Sequence, residues 1–406
     1  MRNQPIAAKA DFAGQWAAVA LGVSIPVFAP PLDNVLMALI AILWLLGGDL
    51  RGKAAIIRQN SVAVAALMLF GLLAAGMLYG SGTLGGLAKY IDLLLVPVFL
   101  TFFGDAKTRD RALQVFCVAA VASVVVSHLA NMNLLVDSPL LPRTRAYPIG
   151  FKSSITHSLI VAFSAYLFAL LAREEQDKKR RMIYIALALF AVHNVAFMIL
   201  SRTGYLVLAV LFLYFFVVTF GRRGLFFITI LAAATFLTAY VTSDTFHQRV
   251  IIAAEETAEW EPGKPSDTSV GLRLEFYVTS LKIIREHPLV GSGTGAFPSA
   301  YARAVADPNM VATRNPHNEY LLIAIQIGLI GLASLIYLFY RQWRLSGQLA
   351  EPLYRDLARG LVLTFVVGCL FNSLLLDHTE GLLFAWLSGL LFAAPLQQPQ
   401  PAGHAP

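Results

Sequence analysis

Asn315-Pro316-His317-Asn318-Glu319 stands at the mouth of an apolar run that continues from 319 to about 340. Before it lies a long, mostly polar stretch, 244–318; after it the chain turns apolar and stays so for a bilayer's thickness. The same alternation of greasy run and short polar connector covers nearly the whole chain. The run therefore marks the junction of a large loop with a membrane helix, and a histidine placed there can reach both water and the membrane surface.

Working outward, 57% of the 406 residues are hydrophobic, 14% are charged, and the mean hydropathy is +0.67. A soluble chain of this size needs more charge to cover its surface. About twelve spans, ten at the least, can be placed. They run near 13–29, 32–47, 61–79, 84–103, 112–136, 155–172, 183–200, 204–220, 225–243, 319–340, 358–376 and 381–395. The fold class expected is an all-α polytopic membrane protein with a large helical loop. The chain reads as one integral membrane domain, 1–406, with a loop subregion at 244–318 and a disordered Pro/Gln/Gly tail at 396–406. The first apolar run is read as a retained span and not a signal peptide, for no small-residue cleavage site follows it convincingly.

A sequence pI near 9.4 would suggest nucleic acid if the basic residues gathered on one soluble face. They sit instead in short connectors: Arg2 and Lys9; Arg51, Lys53 and Arg58; Lys107, Arg109 and Arg111; Arg173 and the Lys178-Lys179-Arg180-Arg181 run; Arg222 and Arg223; Arg341, Arg344, Arg355 and Arg359. These connectors alternate along the chain, so the positive-inside bias puts them, with the N-terminus, in the cytoplasm. The segment 137–154, the junction Ser201-Arg202-Thr203-Gly204, the loop 244–318 and the turn 377–381 then fall together on the outer side. Topology brings these polar features to one surface without any assumption about function.

Within the loop, Ser269 to Glu286 reads as a helix with Leu272, Phe276, Leu281 and Ile284 on its apolar side, stopped at His287-Pro288. The acidic stretch 255–267 is expected to be mobile and outermost. Cys117 and Cys369 both lie in apolar runs and are read as packing residues. Gly291-Ser292-Gly293-Thr294-Gly295 is no P-loop, for no Gly-Lys-Ser or Gly-Lys-Thr follows; it is read as a close turn whose N–H groups could hold an anion. Asp377, His378 and Glu380 are close in sequence but carry no metal-site spacing, and no His-Glu-x-x-His element exists.

Four sets of residues carry the chemistry that can be proposed. His317 titrates near neutrality and could take a proton from a hydroxyl, although a helix-capping role is equally open; Asn318 and Glu319 could fix its environment. Arg202, between two apolar runs, is costly unless it meets water or an anion, and its guanidinium suits phosphate. Arg273, midway along the loop helix, could add a second cation or simply pair with Glu275. Lys89, with Asp92 three residues on, could form an internal ion pair or reach a lipid phosphate.

The string 315–321, the Arg202-Thr203-Gly204 junction, Gly271-Leu272-Arg273-Leu274-Glu275, the turn 291–297 and the late 377–381 turn, in this order and on one side, resemble the O-antigen ligase family, which is related to the O-antigen polymerases. The resemblance covers most of the chain. It implies a glycan donor on undecaprenyl pyrophosphate, a lipid A–core acceptor, and work at the periplasmic face of a bacterial inner membrane, without cofactor or obligatory metal. It implies Arg202 and Arg273 at the pyrophosphate and His317 at the acceptor hydroxyl. Lys89, Arg143 and Arg145 would assist donor binding, and Asn318, Glu319, Asp377, His378 and Glu380 would support the site. The rival readings are an O-antigen polymerase, a protein O-oligosaccharyltransferase, and a lipid-linked glycan flippase or transporter.

Overall fold

Polar caps cut the apolar sequence into helices. The computed structural model describes residues 4–28, 30–132, 134, 151–199, 201–242, 244–261, 263, 268–305 and 311–396. The helices are α1 (Gln4–Val27), α2 (Pro30–Leu46), α3 (Leu50–Gln59), α4 (Ser61–Ala75), α5 (Leu84–Ala88), α6 (Leu95–Phe102), α7 (Ala106–Asn131) and α8 (Ser154–Glu174). They continue as α9 (Lys178–His193), α10 (Arg202–Thr242), α11 (Asp244–Ala258), α12 (Ser269–Glu286), α13 (Phe297–Ala304), α14 (Glu319–Ser346), α15 (Pro352–Gly368) and α16 (His378–Phe392). A 3-10 turn, Ile91–Leu94, precedes α6, and a π-turn, Asn194–Met198, follows α9. Asn60, Asp105, Ser153, Asp177, Thr268 and Asn318 each accept a hydrogen bond from the first turn of the helix they open.

The all-α expectation holds among the described residues, which contain no strand beyond the isolated bridge Leu349–Leu396. Six helices are long and apolar enough to cross a membrane, or seven if α2 and α3, bent by 112°, make one span. The other runs among the twelve expected spans form shorter or broken helices. The 61–79 run yields the 15-residue α4, 381–395 yields the 15-residue α16, and 84–103 is broken into α5, the 3-10 turn and α6. The tail expected at 396–406 falls, from 397 onward, outside the described residues, as do Arg143 and Arg145 and residues 262 and 264–267 of the acidic stretch.

Helix α8 is the axis of the bundle: 89% of its most apolar window is buried, against 22% for α9 and for the first half of α10, whose apolar side chains face outward. Helix α16 is buried along almost its entire length. Trp386 on α16 anchors the core, with its ring against Phe103 and Phe116 and its indole N–H donating to the Ala18 carbonyl (2.8 Å). The two ends of α8 have different chemistry. Arg173 near its C-terminus meets Asp356 at 2.6 Å, and nearby Arg359 reaches the Tyr214 hydroxyl. About 22 Å away, given 1.5 Å per helical residue, Ser158 hydrogen bonds to Ser201 beside Arg202.

Helix α14 is broken at Ile327 and Gly328. Gly328 has φ +67°, and a Cβ there would lie 2.1 Å from the Leu289 carbonyl oxygen, so only glycine fits. The broken turn does not leave backbone groups unpaired. Ile325 and Gln326 carbonyls accept from Ser292 and Gly293 N–H (2.7 and 2.9 Å), and Leu329 N–H donates to the Pro288 carbonyl (2.8 Å). The glycine-rich turn also pairs with the segment after α4: Thr294 N–H to Gly76 O (2.9 Å) and Thr83 N–H to Thr294 O (2.8 Å). Backbone that leaves a helix inside a membrane protein must find such partners.

Candidate functional site

Ser201-Arg202-Thr203-Gly204 divides its tasks residue by residue. Ser201 Oγ accepts from Gly204 N–H (3.2 Å) and so opens α10. Thr203 Oγ1 accepts from Asn372 Nδ2 (2.6 Å). A Cβ on Gly204 would lie 2.4 Å from the Ser158 Cβ, so glycine lets α10 approach α8. With its neighbours so committed, Arg202 is left exposed at the helix mouth. It lines a cavity of about 290 Å³ with Leu206, Val270, Arg273, Leu274, Tyr277 and Phe371.

Helix α12 supplies the facing wall. Arg273 is half-buried; burial lowers its guanidinium from the ordinary value, and the nearby Arg202 adds to this. Arginine stays cationic despite such shifts, so two cations that have no carboxylate partner among the described residues share one cavity. Pairing of Arg273 with Glu275 is not what the structure contains. Glu275 is buried, with its oxygens taken by Gly263 N–H (3.1 Å) and Thr279 Oγ1 (2.8 Å). Helix periodicity explains this: Leu272, Phe276, Thr279, Ser280 and Ile283 share the inward face with Glu275, whereas Leu281, expected inside, is 49% exposed. The helix packs on α13 and α14 rather than lying free on a surface.

His317 is not among the residues that line this cavity but lies close enough to Arg273 to feel its charge. Its φ is +52°, in the left-handed region, held by Asn315 Oδ1, which accepts from His317 N–H (2.8 Å). Burial and the Arg273 cation lower its pKa from the usual histidine value, so the imidazole is neutral at neutral pH. Tyr277 Oη donates to the Leu370 carbonyl (2.9 Å) and lies 3.4 Å from the His317 carbonyl. Asn318 caps α14 through Leu321 N–H and donates to the same Leu370 carbonyl (3.0 Å).

Glu319 does not touch His317. It is fully buried, with Oε1 accepting from Tyr90 Oη (3.1 Å) and Oε2 from the N–H groups of Leu375 (2.9 Å) and Leu376 (3.4 Å). Tyr90 is held in turn by Gln326, whose Oε1 accepts from Gly295 N–H (2.6 Å). Glu319 thus fastens the turn between α15 and α16 to the start of α14. That turn carries Leu370, which anchors Tyr277 and Asn318, and Asn372, which anchors Thr203.

The glycine-rich turn is not an anion cradle. The N–H groups of residues 291–296 all donate within the protein: to His287, Ile325, Gln326, Gly76 and Gly293 carbonyls and to Gln326 Oε1. Its glycines serve close backbone approach, since a Cβ at 293 would lie 2.6 Å from the Tyr79 carbonyl oxygen.

The remaining expected site residues form a neighbouring cluster. Lys89 is exposed after α5 and not within a continuous span, and among the described residues it makes no ion pair with Asp92. Its charge acts on Asp377, opposing the burial that pushes that carboxyl up. Asp92 faces His378 instead (3.8 Å). Glu380 accepts from Thr156 Oγ1 (2.6 Å), and buried Lys152 reaches Asp33 (3.4 Å) and Thr379 (3.5 Å). No group of three or more metal-ligating side chains occurs among the described residues. Arg202, Arg273, His317 and Asn318 are therefore together, Glu319 braces them from behind, and Lys89, Asp377, His378 and Glu380 stand apart.

Sequence reading missed Tyr277, Phe276, Phe371 and the Asp33–Lys152 pair. Tyr277 lies one helical turn after Arg273 and was accessible to a spacing argument. Asp33 and Lys152 are 119 residues apart, and no local signal joins them.

Residues 185–336 match the family model described as O-antigen ligase. That interval holds Arg202, Arg273, His317, Asn318 and Glu319 and leaves out Lys89 and the 377–380 cluster. An uncharacterized protein of Haemophilus influenzae is similar at 25% identity over 258 residues, 60% of this chain and 61% of the relative. The chain thus spans less than two thirds of that relative's length. This is a helical protein with several helices long and apolar enough to cross a membrane, and its residues 185–336 are similar to the O-antigen ligase family.

Proposed function

We propose that the protein transfers a glycan from undecaprenyl pyrophosphate to a hydroxyl of lipid A–core oligosaccharide, at the periplasmic face of a bacterial inner membrane. The observation that carries this reading is the cavity lined by two arginines without carboxylate partners, among the described residues, with the histidine His317 close to one of them, Arg273. Arginine forks suit a pyrophosphate bidentately, and their charge is worth most where the leaving group gains charge. Leu206, Val270, Leu274 and Phe371 give the same cavity apolar walls, which suit the lipid end of the donor.

In the proposed step, the acceptor hydroxyl attacks the anomeric carbon from the face opposite the pyrophosphate. The new C–O bond forms as the carbon–phosphate oxygen bond breaks, and the pyrophosphate leaves with the electron pair. His317 takes the hydroxyl proton through a ring nitrogen, and the anomeric configuration inverts. Arg202 and Arg273 hold the departing pyrophosphate. Concentration of basic connectors at the Arg173 end of α8 supports a periplasmic location for the opposite end.

Reconstitution with a defined undecaprenyl-pyrophosphate glycan and purified lipid A–core tests the reading. Glycan linked to lipid A–core with inverted configuration is expected, without a transmembrane gradient. Growth of the lipid-linked glycan alone would assign polymerisation, and no transfer at all would overturn the enzyme reading.

A further inference from the structure

A histidine acting as a base is commonly oriented by a carboxylate at its second nitrogen. His317 has no such partner. The carboxylate two residues away, Glu319, spends its oxygens on Tyr90, Leu375 and Leu376. Among the described residues, neither ring nitrogen of His317 has a hydrogen-bonding partner. Hydrogen bonds from its N–H to Asn315 Oδ1 and from Tyr277 Oη to its carbonyl hold its backbone, but they leave the ring's orientation to other forces.

The ring is met by an aromatic face. Phe276 lies almost parallel to the imidazole, with centroids 6.1 Å apart and planes at 28°. Phe276 is 5% exposed and is wedged edge-on against Tyr301 (5.8 Å, 79°), which in turn packs on Phe297 (5.6 Å). This chain of rings ties the imidazole to α12 and α13. Residues 273, 276 and 277 follow i, i+3, i+4 spacing, so one face of α12 delivers the cation, the ring support and the backbone tether together.

We infer that Phe276 is the positioning residue for His317, orienting the imidazole by its face in place of a carboxylate and leaving both ring nitrogens to the acceptor hydroxyl and to solvent. This rests on the transferase reading above. The physical consequence is a base of modest strength. A ring stacked on the imidazole offers no acceptor to the in-plane second N–H, so it does not drive the ring toward the imidazolium before the hydroxyl arrives. Such a base suits a reaction in which the activated donor makes the hydroxyl acidic only as the new bond forms.

Phe276→Leu removes the ring at nearly constant volume, and Phe276→Tyr retains it. Steady-state transfer from undecaprenyl-pyrophosphate glycan to lipid A–core is measured across pH for both, with His317→Ala alongside. Phe276→Leu is expected to lower kcat about 3- to 10-fold, the scale of one aromatic pair, with donor KM little changed. Its acidic limb should move up toward the ordinary histidine value of about 6.5 as water enters. Phe276→Tyr should restore most of kcat and the limb. An unaltered kcat and limb in Phe276→Leu, or equal losses in both variants with an unmoved limb, would overturn the positioning role while leaving the transferase reading intact. Normal turnover by His317→Ala would instead remove the reading on which it rests.

Discussion

Replacing Glu319 with glutamine probes the brace behind the site. The carboxylate receives three donors, Tyr90 Oη on one oxygen and the Leu375 and Leu376 N–H groups on the other. A glutamine can keep its oxygen on the Leu375 and Leu376 N–H groups and turn its NH₂ toward the Tyr90 oxygen, which then accepts, but the buried Tyr90 O–H loses its own acceptor. A hydrogen bond to a charged group is worth about 1.5–3 kcal/mol, and a buried donor left unmet costs about 1–3 kcal/mol. Glu319→Gln should therefore cost about 2 kcal/mol, and Glu319→Ala, which abandons all three donors, several kcal/mol. The loss falls on the turn that presents Leu370 to Tyr277 and Asn318 and Asn372 to Thr203. The arginine wall of the cavity and the histidine near it loosen together, so donor KM should rise and kcat fall. Detergent-purified protein would show an apparent melting midpoint lowered by about 2 °C in Glu319→Gln and by more in Glu319→Ala. The acidic limb of kcat/KM should stay where it is in the parent. A variant with an unchanged midpoint but a displaced limb would refute the reasoning, for it would mean that Glu319 acts on His317 directly.

Three further outcomes are expected. His317→Ala should assemble normally and lose about 10²–10⁴-fold in kcat, and in the parent protein activity should fall on the acid side, because protonation below the lowered pKa removes the base; a flat acidic profile or a fully active variant would contradict this. Arg273→Lys should raise donor KM more than Glu275→Gln does, since only the arginine faces the cavity, and measured donor affinity in the two variants decides it. Gly204→Val should lower thermal stability and donor use together, because its side chain would collide with Ser158 and push Arg202 outward; native melting behaviour would exclude that close approach.

Much of this site was legible along the chain because helix mouths leave strong local marks. Asn318 as cap, His317 before it and Arg202 at the start of an apolar run each announce a helix end. Their common side followed from charge asymmetry alone, which is a sum over many connectors and tolerates errors in any one. What was not legible depended on partners far apart in sequence. Glu319 looked like a helper for its neighbour His317, yet its partners lie at 90, 375 and 376. Lys89 and Asp92 have helix spacing, but the helix breaks between them at Tyr90, so that spacing does not apply. The glycine turn looked like an anion nest because composition reveals free conformations and not which carbonyls will claim the N–H groups. Span counting suffered in the same way: hydropathy averages over the breaks at Lys89 and Gly328 that shorten or divide the helices.

The turn between α15 and α16 gives the site a place in time. Translation delivers Arg202 first, then α12, then His317, but the carbonyl that steadies Tyr277 and Asn318 belongs to Leu370, and the amide that steadies Thr203 belongs to Asn372. Until the ribosome has passed those codons, the nascent chain holds the arginines and the histidine without their common fastening. The pocket thus matures together with α16, the core helix that follows this turn, and a prematurely terminated chain lacking the turn would lack both the fastening and that helix.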